Sequence, residues 1–309
     1  MAVFAWSLDS PAPTPCRKAC VTIGNFDGVH RGHAALIQQL VKLAQAQGTT
    51  AVAVTFDPPP LALLRPMPEI RPLATLADRC RWLHEAGATH VLVLQTTRML
   101  LDLSAVEFYR RLLQEELQVH GMVEGPNFCF GKNRDGDIAT LERLCMEAGM
   151  PLEVAAPVTD ADVVISSSRI RLALQRGEVE SARSWLGRFY YLSGMVGEGA
   201  RRGRHLGFPT ANLEQITTLI PGDGVYAVQV DHQGKSWAGA ANIGPNPTFA
   251  EHQRKVEVHL LDFTGDLYGQ SLTIQFTARL RETRRFGSID ELRQQLLLDI
   301  AQTRQILGR

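Results

Sequence analysis

The sequence predicts two modules of different class: an α/β module built on a parallel sheet, then a compact antiparallel barrel or sandwich closed by a C-terminal helix. Three observations carry this. From Ala19 to about Gly187 short apolar runs alternate with amphipathic helical segments; after Tyr190 strand-like runs are separated by Gly, Pro, Asn and Asp; and one long helical pattern closes the chain. A length of 309 residues accommodates two cores.

In the first part the runs "CVTI", "AVAVTF", "HVLVLQ" and "MVEG" read as strands. Between them, "HAALIQQLVKLAQAQG", "LADRCRWLHEAG" and "VEFYRRLLQEELQVHG" carry apolar residues at helical spacing and end near Gly. Short apolar strands each followed by an amphipathic helix mark βαβ units and a parallel sheet. In the second part "YYLSGMVG", "GVYAVQVDHQGKSWAGAANIG", "KVEVHLLDF" and "SLTIQFTARL" read as antiparallel strands, and "IDELRQQLLLDIAQTRQIL" as the closing helix. The boundary is placed where "GEVESARSWLGR" ends a helical stretch, dividing the chain into residues 1–187 and 188–309.

Composition narrows the function classes. Lys+Arg 32 balances Asp+Glu 32, so net charge gives no support to a nucleic-acid partner, and 45% apolar with 21% charged residues is globular composition. Cys16, Cys20, Cys80, Cys129 and Cys145 are scattered without paired-knuckle spacing, which reads as reduced thiols. No basic region leads into an apolar run at the N-terminus, and no apolar segment approaches the roughly 18 residues of a membrane span. The expected setting is cytoplasmic, with no membrane partner; oligomeric state is not legible.

The first stretch with chemistry is "TIGNFDGVHRGH", Thr22 to His33. A buried strand runs into Gly24 and Gly28 and then into a helix whose free N–H groups and positive dipole end favour an anion. His30 and His33 bracket Gly32, which lets a ligand approach the backbone, and the two imidazoles would grip phosphate oxygens. Two histidines at this spacing also suit a metal, but no third or fourth ligand has obvious spacing. A second stretch, "ISSSRIRLALQRGEV", places Ser166, Ser167 and Arg169 at a helix start, supplying hydroxyls, amides and guanidinium groups. Taken singly it is an N-cap on a surface helix. Walker A and G-x-G-x-x-G loops are absent.

Together and in this order, the H-x-G-H and "ISSSR" stretches resemble the signature of nucleotidyltransferases that share a Rossmann-like fold with class I aminoacyl-tRNA synthetases. Adding "GPNFCFGKNRDGD", "GRHLGFPTANL", "PGDGVYAV", "NIGPNPTF" and "VEVHLLDFTGDLYG", the chain from about Val21 to its C-terminal helix resembles the bacterial bifunctional riboflavin kinase/FMN adenylyltransferase family, also called FAD synthetase. The resemblance implies an α/β Rossmann-like nucleotidyltransferase domain followed by a six-stranded antiparallel β-barrel riboflavin-kinase domain with a C-terminal helix. It implies that riboflavin is phosphorylated by ATP to FMN, and FMN adenylylated by ATP to FAD and pyrophosphate, with Mg²⁺ accompanying ATP.

Within the first module the resemblance assigns His30 and His33 to the transferring phosphoryl group, and Ser166, Ser167 and Arg169 to the ATP phosphates. Gly24, Asn25, Phe26, Asp27 and Gly32 shape the nucleotide pocket, and Asn127 helps place a substrate. In the second module Glu257 is the general base; in "VEVHL" alternation puts it with His259 on the face opposite Val256, Val258 and Leu260. Thr210 and Asn212 match the family's Mg²⁺ and ATP-phosphate contacts, and Gly203 and Gly207 let the preceding loop fold over the nucleotide. Pro59, Asn246 and Thr283 depart from the family pattern, which commonly has His, Arg and an acidic residue there. A single-activity adenylyltransferase with a decayed kinase module and a non-enzymatic flavin sensor are the alternatives; the sensor predicts loss of the phosphate-handling residues, which are present.

Overall fold

The computed structural model describes residues 2–64, 71–198, 207–245 and 254–308. The chain divides into two compact units, one of Met1–Ile70 with Ala74–Ser166, the other of Arg71–Leu73 with Ser167–Arg309.

The first unit is built on six parallel strands: β1 (Ala2–Trp6), β2 (Cys20–Ile23), β3 (Ala51–Asp57), β4 (His90–Gln95), β5 (Gly121–Glu124) and β6 (Leu152–Val154). They lie in the order β1-β4-β3-β2-β5-β6, and a small antiparallel pair, β7 (Thr159–Asp160) and β8 (Val163–Val164), follows them in the chain. The runs read as strands are buried on both faces, as a helix-covered parallel sheet requires. β1 lies before the region the periodicity marked as α/β. "AVFAW" leads into a proline-containing loop rather than a helix, and its place is set by pairing with β4, Ala2 opposite His90 through Trp6 opposite Leu94.

Helix α1 (Arg31–Ala46) buries Ile37, Leu40, Leu43 and Ala44, one stripe at helical spacing. The short α2 (Pro60–Leu64) follows β3. Helix α3 (Leu76–Glu85) starts at Thr75, whose hydroxyl accepts the Asp78 N–H. Then come α4 (Arg98–Leu101), α5 (Ala105–Phe108), which continues as wider helical turns through Tyr109–Glu116, and α6 (Ile138–Glu147).

In the second unit α7 (Ser167–Arg176) and α8 (Val179–Leu186) precede a closed antiparallel barrel. Its strands are β9 (Tyr191–Gly197), β10 (Ala211–Glu214), β11 (Gly224–His232), β12 (Lys235–Gly244), β13 (Lys255–Leu260) and β14 (Ser271–Arg281), closing as β10-β13-β12-β11-β14-β9. Inward residues alternate with outward ones, and Val228, Val230, Val258, Ile274 and Phe276 fill the interior. α7 and α8 stand on the first side of the expected division at residue 187, yet they pack in the barrel unit. α8 buries Val179, Ala182 and Leu186, and Glu180 Oε1 accepts the Arg279 N–H of β14 at 3.0 Å.

The closing helix α9 (Ile289–Leu307) is capped by Ser288, whose hydroxyl accepts the Glu291 N–H. It is tied to the barrel by a buried ion pair: Arg281 donates from Nε and Nη2 to the Asp299 carboxylate, which also accepts from Gln295. The Asp299 side chain is only 2% exposed. Removing one partner of a buried pair strands the other charge, so Asp299→Ala is expected to cost about 3 kcal/mol or more in urea unfolding. A change below about 1 kcal/mol would show that α9 is held by packing alone.

Candidate functional site

β3 lies on one side of β2 and β5 on the other, so chain connections leave in opposite directions at β2. The crevice outside the carboxyl ends of strands at such a switch point is where open parallel sheets bind ligands. Gly24, Asn25, Phe26, Asp27, His30, Gly32 and His33 all lie in the loop and helix start that follow β2.

The loop is tightly turned. Phe26 (φ 46°), Gly28 (φ 78°) and Val29 (φ 36°) take left-handed conformations, which two non-glycine residues adopt only when their surroundings over-determine them. The surroundings are visible: Val29 N donates to Phe26 O at 3.0 Å, and the buried Phe26 ring packs edge-on to His33 at 5.2 Å between centroids. A Cβ at Gly24 would stand 3.2 Å from that ring.

His30 is the N-cap of α1, and its Nδ1 accepts the His33 N–H at 3.3 Å. An accepting Nδ1 places the ring proton of the neutral tautomer on Nε2. The His30 and His33 rings are stacked, centroids 3.6 Å apart and planes within 18°. Gly32 makes this possible, since a Cβ there would come within 3.1 Å of His30 Nδ1 and Cε1. Two imidazoles thus sit at the first turn of a helix, the end whose dipole favours an anion.

Asn127 stands exposed on the turn that follows β5, closed by Phe128 N donating to Gly125 O at 3.1 Å. That turn leaves the same end of the sheet as the loop after β2, because the two strands are parallel neighbours. The chain just before Ser166 also arrives there: the Ile165 carbonyl lies 3.8 Å from where a Gly32 Cβ would be. Ser167 and the exposed Arg169 form the first turn of α7 and belong to the second unit.

In the barrel, Asn212 of β10 is paired with Gly197 on one side and Glu257 on the other, and Glu257 is paired in turn with Asn242. Val256, Val258 and Leu260 point into the barrel, while Glu257 and His259 are half-buried on its outer face. His259 Nδ1 lies 2.7 Å from the Pro209 carbonyl and its ring packs edge-on to Phe208. This holds the turn that presents exposed Thr210 just ahead of β10. Gly207 has φ 86°, a conformation that favours glycine. Gly203 and Asn246 lie outside the described residues. Beside Asn212 is a cavity of about 550 Å³ lined by Arg71, Glu214, Arg254 and Lys255 among others.

Three residues at these sites escaped the sequence reading. Arg71 shows no signal of its own; it joins the barrel unit through Nη1, which donates to Ile216 O at 2.9 Å. Arg79 stands among apolar residues on the buried stripe of α3, a legible anomaly, and donates from Nη1 to Asn25 O at 2.7 Å. Burial draws its guanidinium below the ordinary value against the opposing pull of Asp27, Cys80 and Asp57. Glu124 ends the otherwise apolar β5 and accepts the Ile23 N–H at 2.7 Å. Burial pushes its carboxyl well above the usual carboxylate range, opposed by the Ile23 hydrogen bond and the neighbouring Thr22 hydroxyl.

Comparison with known proteins gives a consistent picture. A family model described as FAD synthetase matches residues 13–169, and one described as riboflavin kinase matches 186–307. A bifunctional riboflavin kinase/FMN adenylyltransferase of Pseudomonas fluorescens is 39% identical over 294 residues, 94% of each chain. Proteins of the same description from Escherichia coli (strain K12) and Bacillus subtilis (strain 168) are 38% and 36% identical; the first match spans 94% of each chain, the second 91% of this one and 90% of its relative. A crystal structure from Streptococcus pneumoniae, described as a macrolide-efflux protein, superimposes with a TM-score of 0.87 at 30% identity, covering 98% of this chain and 99% of its own. No helix among the described residues is long and apolar enough to cross a membrane.

The Glu124 environment makes stability depend on pH. The folded state binds the carboxyl proton more tightly than the unfolded chain, so that stabilisation is complete below about pH 4.5 and is lost as pH rises toward the folded pKa. Glu124→Gln keeps an acceptor for Ile23 N–H and cannot ionise. Urea midpoints of wild type and variant are therefore expected to diverge as pH rises, the variant becoming the more stable; a constant difference would contradict the assignment.

Proposed function

The chain belongs to the bifunctional riboflavin kinase/FMN adenylyltransferase family, and from that premise we propose which residues perform each of its two reactions. It is an ATP:riboflavin 5′-phosphotransferase and an ATP:FMN adenylyltransferase, making FMN and then FAD. We keep residues 1–187 as the adenylyltransferase region and 188–309 as the kinase region, as functional rather than packing boundaries.

In adenylyl transfer a phosphate oxygen of FMN attacks the α-phosphorus of ATP; the new P–O bond forms as the bond to the bridging oxygen breaks, and pyrophosphate leaves. The nucleophile is already anionic, so the protein's task is alignment and stabilisation of charge on the α-phosphate. The observation that carries the assignment is the stacked His30–His33 pair at the start of α1, in the switch-point crevice. The His30 Nε2–H, His33 and the helix N–H groups act on the transferring phosphoryl group. Gly24, Asn25, Phe26, Asp27 and Gly32 shape the nucleotide pocket, Asn127 positions a substrate, and Ser166, Ser167 and Arg169 hold the ATP phosphates.

In the kinase reaction the 5′-hydroxyl oxygen of riboflavin attacks the γ-phosphorus. Its proton passes to the Glu257 carboxylate, and ADP leaves as the β–γ bridging bond breaks. A neutral alcohol gains from a base where a phosphate anion does not. Asn212 and Glu257, opposite one another on neighbouring strands, are the observation that supports this site. The Thr210 hydroxyl and the Asn212 amide oxygen are hard oxygen donors of the kind Mg²⁺ takes, and these two residues would hold it. When bound with ATP the ion supplies charge neutralisation of the phosphates. Gly203, outside the described residues, and Gly207 keep their expected role of letting the loop ahead of Thr210 fold over the nucleotide. All five cysteines are free thiols, which supports placing both reactions in the cytoplasm.

Chromatography of products from riboflavin, ATP and Mg²⁺, with a parallel reaction begun from FMN, tests the assignment. His33→Ala should accumulate FMN and make no FAD, whereas Glu257→Ala should leave riboflavin untouched yet convert supplied FMN to FAD. If either variant stopped both reactions equally in folded protein, the two-site assignment would be wrong. Gly32→Ala should lower adenylylation about tenfold by displacing His30, leaving riboflavin phosphorylation at its wild-type rate. Since alanine favours the helix by up to about 1 kcal/mol, the loss should come without lost stability.

A further inference from the structure

The ladder between β2 and β5 consists of Cys20 opposite Gly121 and Val21 opposite Met122, and it stops there. Beyond it three successive residues of the β2 strand and loop are anchored to three different elements. Ile23 N donates to the Glu124 carboxylate at the end of β5, Gly24 N donates to Val54 O of β3 at 3.0 Å, and Asn25 O accepts from Arg79 Nη1 of α3. The Thr55 hydroxyl also donates to Asn25 O, at 3.3 Å.

Glu124 is 2% and Arg79 5% exposed, so both ionisable groups are held out of water. Interiors that need only packing do better with apolar residues of similar volume, and buried charge is costly when incompletely paired. Arg79 is incompletely paired: its Nε is buried with no hydrogen-bond partner among the described residues. The guanidinium is oriented toward the demands of the loop rather than toward its own full satisfaction. Both long side chains end on main-chain groups of the stretch that leads into His30.

We propose that Glu124 and Arg79 are a matched pair of positioning residues that set the nucleotide loop's shape from beneath, Glu124 by receiving the Ile23 N–H and Arg79 by donating to the Asn25 carbonyl. This rests on the reading of that loop as the adenylyltransferase's nucleotide site. Neither residue touches reacting atoms. Each fixes one end of the three-residue segment from which the left-handed Phe26 and the stacked histidines follow. A displacement of about 1 Å at such a point is enough to cost up to about a hundredfold in rate.

The test is made on the full chain with both activities measured for Glu124→Gln, Glu124→Leu, Arg79→Lys and Arg79→Met, with His33→Ala alongside. Glu124→Gln retains an acceptor and should adenylylate FMN within about twofold of wild type, while Glu124→Leu should raise the KM for ATP and lower kcat/KM about tenfold or more. Arg79→Met should behave like Glu124→Leu, and Arg79→Lys should recover part of the loss. Riboflavin phosphorylation should stay unchanged throughout, reporting that the barrel unit is folded, and urea unfolding of each variant should retain the first unit's transition; loss of adenylylation only in variants that lack that transition would overturn the proposal. Leu and Met variants with wild-type adenylylation, beside an inactive His33→Ala, would overturn the proposal, as would equal loss of both activities or failure of the conservative variants to rescue. An active His33→Ala would instead overturn the reading of the loop itself.

Discussion

A parallel sheet whose strand order reverses must open at the point of reversal, and in the first unit it opens between β2 and β5. Their ladder ends two residue pairs after it begins, which would leave the Ile23 amide without an acceptor in the interior. The Glu124 carboxylate supplies the acceptor from the end of the neighbouring strand. That substitution of a side chain for a ladder bond lets the strands part without an unsatisfied group. The loop after β2 and the turn after β5 then leave the same end of the sheet, and the stacked His30–His33 pair follows directly from the loop.

The barrel answers a different constraint. Closure gives every strand two neighbours, so no edge is left to pair with another chain, and the interior is filled by apolar side chains. Polar residues are therefore on the outer face, where the register sets Asn212, Glu257 and Asn242 in one row across three strands. His259, two residues on from Glu257 and on the same face, is used to hold the Pro209 carbonyl and the turn that carries Thr210.

The two sites differ as their nucleophiles differ. An FMN phosphate arrives ionised, and the site proposed for it offers N–H donors: imidazoles and a helix start beside a tightly turned loop. A riboflavin hydroxyl must lose a proton, and the site proposed for it offers the half-exposed Glu257 carboxylate opposite Asn212. One asks for rigid donors and the other for an accessible base.

Periodicity by itself determined the two classes of module, most strands and the closing helix, because burial on one face or two imprints a repeat on the chain. Local chemistry marked His30, Gly32 and His33, since glycine turns and helix starts are written within a dozen residues, whereas Thr210, Asn212 and Glu257 were marked only by resemblance to the family's motifs. β1 was not legible, for its place depends on pairing with β4 more than eighty residues on. Nor was the packing of α7 and α8 in the barrel unit, which rests on contacts such as Glu180 with Arg279. Arg79 and Glu124 showed only as charges in apolar settings. Which main-chain groups they serve was decided by tertiary structure alone, because hydrogen bonds between residues 54 and 101 positions apart leave no periodic trace in the sequence.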